Sequence, residues 1–380
     1  MDVVFVNYYD FRSQSGMHIF HLANALVKQG VRVAVCSHGD GETVSRYGKA
    51  KFTSYDNRTN PRKLADILRF TRGETLVHAW TPRENVRVYT ESLAEAMNAP
   101  VVVHMEDNEE AITAGYIANG AAEKGEGYDP FASAATPAIS HPARYREFLR
   151  SAGGYTCIVE ALLDFKPESV PGHVFWPSCE PEVFTLPPES SPEEKKRWGL
   201  DPQAIVLFYP GNIHPLNSEE VFALFKAVGL LRKEGLPLQI ITYGNYELES
   251  PDGSIVNLNE AITPAAIPQV MRAVDLLVQP GEENAFNHYR FPCKIPLFLA
   301  SARPVILPPA NIGAHLTHGE NCLILPGPSP QEIAACIRTL VKNPEKAKAI
   351  GARGREFAKK YFDWNESAKG VKEFYATVMR

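Results

Sequence analysis

Cysteine is scarce and scattered. Six occur in 380 residues, at 36, 157, 179, 293, 322 and 336, with no Cys-x-x-Cys pair, which argues against a disulfide framework and a zinc site. There is no excess of positive charge; the formal net charge is −5, without a polybasic run, so composition offers nothing to nucleic acid. No apolar run reaches the length of a membrane-spanning helix. The N-terminal residues read as the start of a strand, with no basic stretch ahead of them, rather than as a signal peptide. These absences lead to the expectation of a cytoplasmic protein. Asp-x-Asp occurs nowhere, which removes the usual carboxylate clamp for a metal-bound diphosphate, and no metal site or cofactor is expected. The three-glycine dinucleotide fingerprint is also missing.

What remains is ordinary globular composition, 44% hydrophobic and 22% charged, in a length that suits two domains. Short β-prone runs alternate with helical periodicity throughout. Val3–Val6 is a strand, Gly16–Gly30 an apolar-periodic helix ending on glycine, and Val31–Cys36 the next strand. Strands recur at Thr75–Ala79, Val101–His104 and Tyr155–Val159, with helices over Pro82–Met97 and about Pro142–Ser151. Ile117–Ile139, rich in small residues, reads as a long loop of the lid or binding kind. A Pro-rich run through His173–Pro188 marks a boundary between residues 1–178 and 189–363. The second half repeats the alternation, with strands at Ile205–Tyr209, Leu238–Thr242, Asp275–Gln279, Pro304–Leu307 and Cys322–Leu325. Ser218 is expected to cap the helix that runs to Glu234.

The polar residues concentrate where these strands end. In open α/β sheets ligands sit outside the carboxyl ends of strands, near helix N-termini with unpaired N–H groups. Gln279–Lys294 is such a loop and holds Glu283, Asn287, Arg290 and Lys294. Its Arg and Lys suit a phosphorylated ligand, since fixed positive charge neutralises a diphosphate. The Gly211–Asn217 loop, with Asn212 and His214, reads either as an anion site or as a simple helix-capping loop. The turn at Gly16 leaves the same choice between phosphate approach and a tight turn. His78 and His104 close two strands, and Met105–Glu110 carries four carboxylates in six residues.

Glu283-Asn-Ala-Phe286, followed by Phe291-Pro-Cys-Lys294 and the run to Ile306, resembles the donor site of family 4 retaining glycosyltransferases. Gly16-Met-His18 and Leu22–Leu26 are similar to that family's first turn and helix, Gly319–Leu325 to the strand after the donor loop, and Phe362-Asp-Trp364 to the lead-in of its last helix. The resemblance implies an α/β protein of the GT-B type: two facing Rossmann-like domains, an interdomain cleft, and a C-terminal helix, 364–380, crossing back to the N-terminal domain. It implies retaining, metal-independent transfer of a sugar from a nucleotide-diphosphate sugar. Glu283 would lie near the transferred sugar, Lys294 in the donor loop, Gly16 at the diphosphate and His104 near the reacting carbon. Glu106 would line the acceptor side. His18, His78, Asp107, Asn108 and Asn287 are candidates for acceptor or sugar contact. The family's second Glu, which holds the nucleotide ribose, aligns with Leu297, and the spacing from Glu283 is longer than in the family. The basic pair after the first strand of the second domain is replaced by Asn212 and uncharged neighbours, with Arg290 as a substitute. The acceptor is left open among a glycan, a lipid-linked sugar, a protein and a small molecule, with peripheral membrane association compatible with the second. Two alternatives stand beside transfer: a non-catalytic sugar- or partner-binding protein, and a nucleotide-sugar epimerase using the Glu106–Glu110 carboxylates.

Overall fold

Buried β-branched runs that lack polar alternation can be covered on both faces only in a parallel sheet with helices on each side. The computed structural model, which describes residues 1–56, 66–67, 69–124, 128–132, 137–179, 181–213, 217–244, 252–258 and 266–380, contains two such sheets. They belong to two units, Met1–Pro177 with Trp364–Arg380, and Ser178–Asp363.

The first unit has β1 (Asp2–Asn7), α1 (Gln14–Lys28), β2 (Arg32–Ser37), β3 (Thr53–Asp56), β4 (Thr75–Trp80), α2 (Glu84–Met97), β5 (Val101–Met105), α3 (Glu109–Lys124), α4 (Arg144–Ser151), β6 (Gly154–Cys157) and β7 (Gly172–Val174). All pairings are parallel, in the order β3-β2-β1-β4-β5-β6-β7. The chain builds outward on one side of β1 and then jumps to the other as β4. That reversal leaves a crevice at the carboxyl ends of β1 and β4, the preferred ligand position of open α/β sheets.

The C-terminal helix, Trp364–Val378, belongs to this unit and packs on α1, as the resemblance implied. Ile19, Leu22 and Leu26 from α1 share one core with Trp364, Ala368, Val371 and Tyr375 and with Phe5 and Trp80 from the sheet. Each fully buried aliphatic side chain contributes roughly 1.5–3 kcal/mol, so this seam fixes the helix firmly. Polar bonds pin its edges: Lys372 Nζ donates to Gln29 O at 2.7 Å, and Gln29 Nε2 to Asn365 O at 2.7 Å.

The second unit has α5 (Pro192–Arg197), β8 (Ile205–Pro210), α6 (Ser218–Lys233), β9 (Leu238–Tyr243), β10 (Ile255–Asn257), β11 (Leu276–Val278), α7 (Lys294–Ala300), β12 (Val305–Leu307), β13 (Leu323–Ile324), α8 (Pro330–Lys342) and α9 (Pro344–Tyr361). Its parallel sheet runs β10-β9-β8-β11-β12-β13, with the reversal between β8 and β11. Arg303 is buried in this unit and donates to the carbonyls of Val274, Pro187 (2.6 Å) and Met271 (3.4 Å), tying three backbone segments together.

Two local expectations change. Residues 117–124 are the second half of α3 and not loop. Asn108 Oδ1 accepts from Ala111 N at 3.0 Å and starts that helix, while Thr113 Oγ1 donates to Ser140 O at 2.8 Å and anchors it. Small residues such as Ala and Gly permit helix where an anchor exists, and composition alone does not show the anchor. Residues 125–127 and 133–136 of the expected lid lie outside the described residues. Asn217, and not Ser218, occupies the cap position of α6; its amide donates to Asn212 O at 3.0 Å.

Candidate functional site

In the first unit the side chains at the sheet's carboxyl edge are sorted by strand alternation. His78 and Trp80 lie two apart on β4 and share a face; His104 pairs in register with Trp80, and Thr156 with His104. All four are fully buried. The His104 ring lies 4.0 Å from the Trp80 ring and stacks on Phe175. Thr156 Oγ1 bonds both histidines, at 2.8 Å to His104 Nδ1 and 3.0 Å to His78 Nε2, and His78 Nδ1 meets Tyr375 OH at 2.6 Å. Burial, against the pull of Glu106, pushes the His104 imidazole down to about 3; burial and His104 hold His78 well below its usual value. Both rings are therefore neutral at physiological pH. His78 was expected to contact a ligand, but it lies inside the sheet beneath the C-terminal helix, because its strand position points it at Tyr375.

Helical spacing delivers a second pair of groups. Ser15 and His18 stand one turn apart at the start of α1 and converge on Glu106 just after β5. The His18 Nδ1 to Glu106 Oε1 distance is 2.6 Å, and Ser15 Oγ donates to Glu106 Oε2. Burial alone would raise the Glu106 carboxyl; His18, His104 and the Ser15 hydroxyl override it and hold it at about 2. The rest of the acidic cluster is divided among structural partners. Glu109 pairs with Arg83 at 3.2 Å and accepts from Ser140, and Glu110 pairs with Arg146 at 2.5 Å. Asn108 caps α3, so its carbonyl oxygen is spent on the helix and not on an acceptor. Asp107 is half-buried.

Gly16 has a reason other than a free N–H. Its N–H donates to the capping Ser13 Oγ at 3.0 Å, and a Cβ there would stand 2.6 Å from Asp10 O and from Phe11 Cα. The loop after β1 crosses the helix at that point, and only glycine leaves room. Gly16→Ala is expected to cost on the order of 1–3 kcal/mol, because backbone and not a pliable side chain stands in the way. Urea unfolding would measure it, and a midpoint equal to that of the unaltered protein would sink this account.

In the second unit the corresponding reversal between β8 and β11 gathers Tyr209, Gly211, Glu220, Gly281, Asn287, Arg290 and Lys294. The Lys294 ammonium sits 4.0 Å above the Tyr209 ring, and a Cβ on Gly211 would come within 2.7 Å of its Nζ. Burial, added to by Arg290, pushes the Lys294 ammonium down to about 7. Arg290 lies over Phe286 at 5.2 Å. Among the described residues neither Arg290 nor Lys294 has an ion-pair partner. Glu220, at the start of α6, is raised by its burial against the opposing influence of Asn287 and Arg290.

Other candidates take different places. Asn287 donates to Glu220 Oε1 at 2.7 Å and to Glu282 O at 3.0 Å, so its amide nitrogen braces the loop and does not await a ligand. Asn284 caps the helical turn that follows, accepting from Phe286 N and Asn287 N. Glu283 is exposed beside His288, 3.1 Å away. The Gly211 N–H, expected to face phosphate, is taken by Tyr243 O at 2.8 Å, because the β8–β9 ladder runs one residue further than the sequence shows. Asn212 is exposed, and His214 lies outside the described residues. Leu297 is 6% exposed, on the buried face of α7. Ser15, Thr156, Tyr209, Glu220 and Tyr375 were not singled out from the sequence. Of these only Ser15 left a signal there, the i, i+3 relation to His18.

The model of the family described as Glycosyl transferases group 1 matches residues 204–343, the stretch that holds the second cluster. The D-inositol 3-phosphate glycosyltransferase of Rhodococcus erythropolis is 28% identical over 192 residues, covering 47% of this chain and 42% of the relative. That of Rhodococcus opacus is 27% identical over 199 residues, covering 47% and 43%. The chain thus spans less than half the length of these curated relatives. Among solved structures, Anabaena HepE in complex with UDP and glucose superposes with a TM-score of 0.71 at 13% identity, covering 99% of both chains. A glycosyltransferase from Rickettsia africae gives 0.71 at 14% identity, covering 100% of this chain and 98% of the other. Among the described residues no helix is long and apolar enough to cross a membrane. With a family match over the second cluster and a fold shared along the whole chain, the protein resembles the GT-B glycosyltransferases of the glycosyl transferases group 1 family.

Proposed function

We propose that the protein transfers a sugar from a nucleoside-diphosphate sugar to a hydroxyl-bearing acceptor, with retention of anomeric configuration and without a metal ion. The observation that carries this reading is the pair Arg290 and Lys294 at the β8/β11 reversal: two neighbouring cations in no ion pair among the described residues, with the buried Glu220 acting on them only at longer range. An unpaired, half-buried ammonium held near neutrality is unfavourable in the free protein and becomes favourable when a dianionic group arrives. The two charges would take up the negative charge that develops on a departing diphosphate, the work a divalent cation does elsewhere. Glu106, held ionised between Ser15 and His18, is a weak base, so the departing phosphate oxygen would itself accept the acceptor's proton. Glu283, exposed in the loop that carries the second cluster, would orient sugar hydroxyls, and Asp107 and His18 are the remaining candidates on the acceptor side. UDP-sugars are the first donors to try, since the structurally similar HepE binds UDP and glucose.

The test is release of nucleoside diphosphate from a panel of nucleotide sugars, with and without a chelator, and assignment of the product anomer by NMR. Expected are turnover of one donor, indifference to the chelator, and an unchanged anomeric centre. Inversion would remove the retaining mechanism; loss of activity with chelator would remove metal independence. Leu297 favours one second reading, nucleotide-sugar binding without transfer, because an apolar side chain replaces the carboxylate expected to hold ribose hydroxyls. Calorimetric binding of a donor with no transfer or hydrolysis would select it. Epimerisation needs a carboxylate base, and of the four carboxylates over 106–110 Glu106, Glu109 and Glu110 are each held by hydrogen-bonding partners, which leaves Asp107 for that role.

A further inference from the structure

Arg290 stands in a segment that is held from outside. The carboxamide of Asn311, in the loop after β12, donates to the carbonyl of Asn287 at 2.6 Å and to the carbonyl of Arg290. An amide nitrogen carries two protons, so both are spent on this one segment. The carboxamide oxygen accepts from Ile312 N at 2.7 Å, which fixes its orientation. Asn311 adopts φ +36°, a left-handed backbone that strains an L side chain and suits glycine. The residues that follow enforce it: Ile312 is fully buried, and a Cβ on Gly313 would collide with Pro308 O. Asn311→Gly would relieve the strain and lose both bonds to the segment. That segment is also tied within the unit. Asn287 O accepts from Arg290 N at 3.4 Å, and Asn287 Nδ2 donates to Glu220 at the start of α6 at 2.7 Å.

We propose that Asn311 is a positioning residue that holds Arg290 beside Lys294 at the diphosphate site, by clamping the carbonyls of residues 287 and 290. The clamp fixes the root of the side chain, since Arg290 is held at both its N–H and its C=O. The Phe286 ring, 5.2 Å from the guanidinium, supplies a wall for the other end. Such holding has a physical purpose. Arg290 and Lys294 carry like charge, and no ion pair among the described residues keeps the half-buried Arg290 in place. An unrestrained guanidinium would turn from its neighbour into water, and an arriving anion would have to draw it back. Charge fixed before the ligand arrives removes that cost of binding. Glu220 does not do the holding, because its Oε1 accepts from Asn287 and not from Arg290. The identity of the anion rests on the function proposed above; the clamp on Arg290 does not.

Asn311→Gly is the test variant, because it keeps the left-handed backbone and removes only the amide. The first readout is the titration of Lys294 in the full-length protein, followed by carbon NMR at its terminal methylene and assigned with Lys294→Met. Burial, Arg290, Cys293 and Glu220 act on that amine, and Arg290 is the contribution that the clamp controls. The midpoint is expected to rise above about 7 in Asn311→Gly, and to rise at least as far in Arg290→Gln. The second readout is calorimetric binding of inorganic pyrophosphate, which presents a diphosphate without base or sugar. Its Kd is expected to increase about 10-fold in Asn311→Gly. Adding Asn311→Gly to Arg290→Gln is expected to move neither readout further, because both changes act through one group. An unchanged Lys294 midpoint or an unchanged pyrophosphate Kd in Asn311→Gly would overturn the proposal, as would a full additional effect in the Arg290→Gln background. If the unaltered protein binds no pyrophosphate while Asn311→Gly still moves the Lys294 midpoint, the diphosphate reading fails and the clamp stands.

Discussion

Lys294→Met is expected to raise the stability of the free protein while lowering kcat/KM by about 10²–10³-fold, the usual loss when one preorganised stabiliser of developing charge is removed. The sign of the stability change follows from linkage. Lys294 is depressed to about 7 in the folded protein from its ordinary 10.5, so the unfolded chain binds more protons between those values. Its stabilising contribution is complete above pH 10.5 and is lost as the pH falls toward 7. At neutrality the ammonium therefore costs the folded state, on the order of 3 kcal/mol after the offset from the Tyr209 ring, and methionine removes that cost. The gain should vanish as the pH approaches 10.5. Opposite signs on stability and turnover separate a functional lysine from a structural one. Binding of a diphosphate donor should also draw a proton: about one at pH 8, where free Lys294 is largely neutral, and nearly none at pH 6. Calorimetry in two buffers of different ionisation enthalpy measures that uptake. A variant less stable than the parent, with turnover intact, would reassign Lys294 to the core.

The second large effect is acid sensitivity. His78 and His104 are neutral inside the first unit and become cations on unfolding, so each depressed ring contributes stability that is present above about 6.5 and is lost as the pH falls. Two such rings give a slope of roughly 3 kcal/mol per pH unit between about pH 5.5 and 4. Glu106, held at about 2, extends the loss below its ordinary 4.5. His104→Phe keeps a ring between Trp80 and Phe175 and removes one proton from this balance. Its slope, from urea unfolding at a series of pH values, should be shallower by about 1.4 kcal/mol per unit. Equal slopes would mean that the folded protein protonates His104.

Most of the fold was legible because its signals are local. Val3–Val6 and Ile205–Tyr209 are apolar on both faces, which only a two-sided parallel sheet accommodates, and the helices between carry a clear 3.6-residue period. The Gln279–Lys294 loop was legible as well, since polar residues that follow a buried strand have few other uses. Misreadings came where a distant group set the answer. Ile117–Lys124 looked like loop because the Ser140 carbonyl that anchors α3 through Thr113 is invisible in a window of small residues. Gly16 and Gly211 looked like phosphate donors; the first is required by the crossing of Asp10 and Phe11, and the second gives its N–H to the neighbouring strand.

By itself, then, the sequence determined two α/β sheets, their strand-end loops, and the cations at 290 and 294. Periodicity, turn residues and side-chain chemistry act over a few residues and need no fold to be read. Only the tertiary structure decided which of these groups meet. Glu106 found His18 across 88 residues, Lys294 found Tyr209, and Tyr375 reached His78 across 297. Strand order and the return of the last helix set those meetings. Desolvation and partner charge at each meeting then set which groups stay charged and where the protons rest.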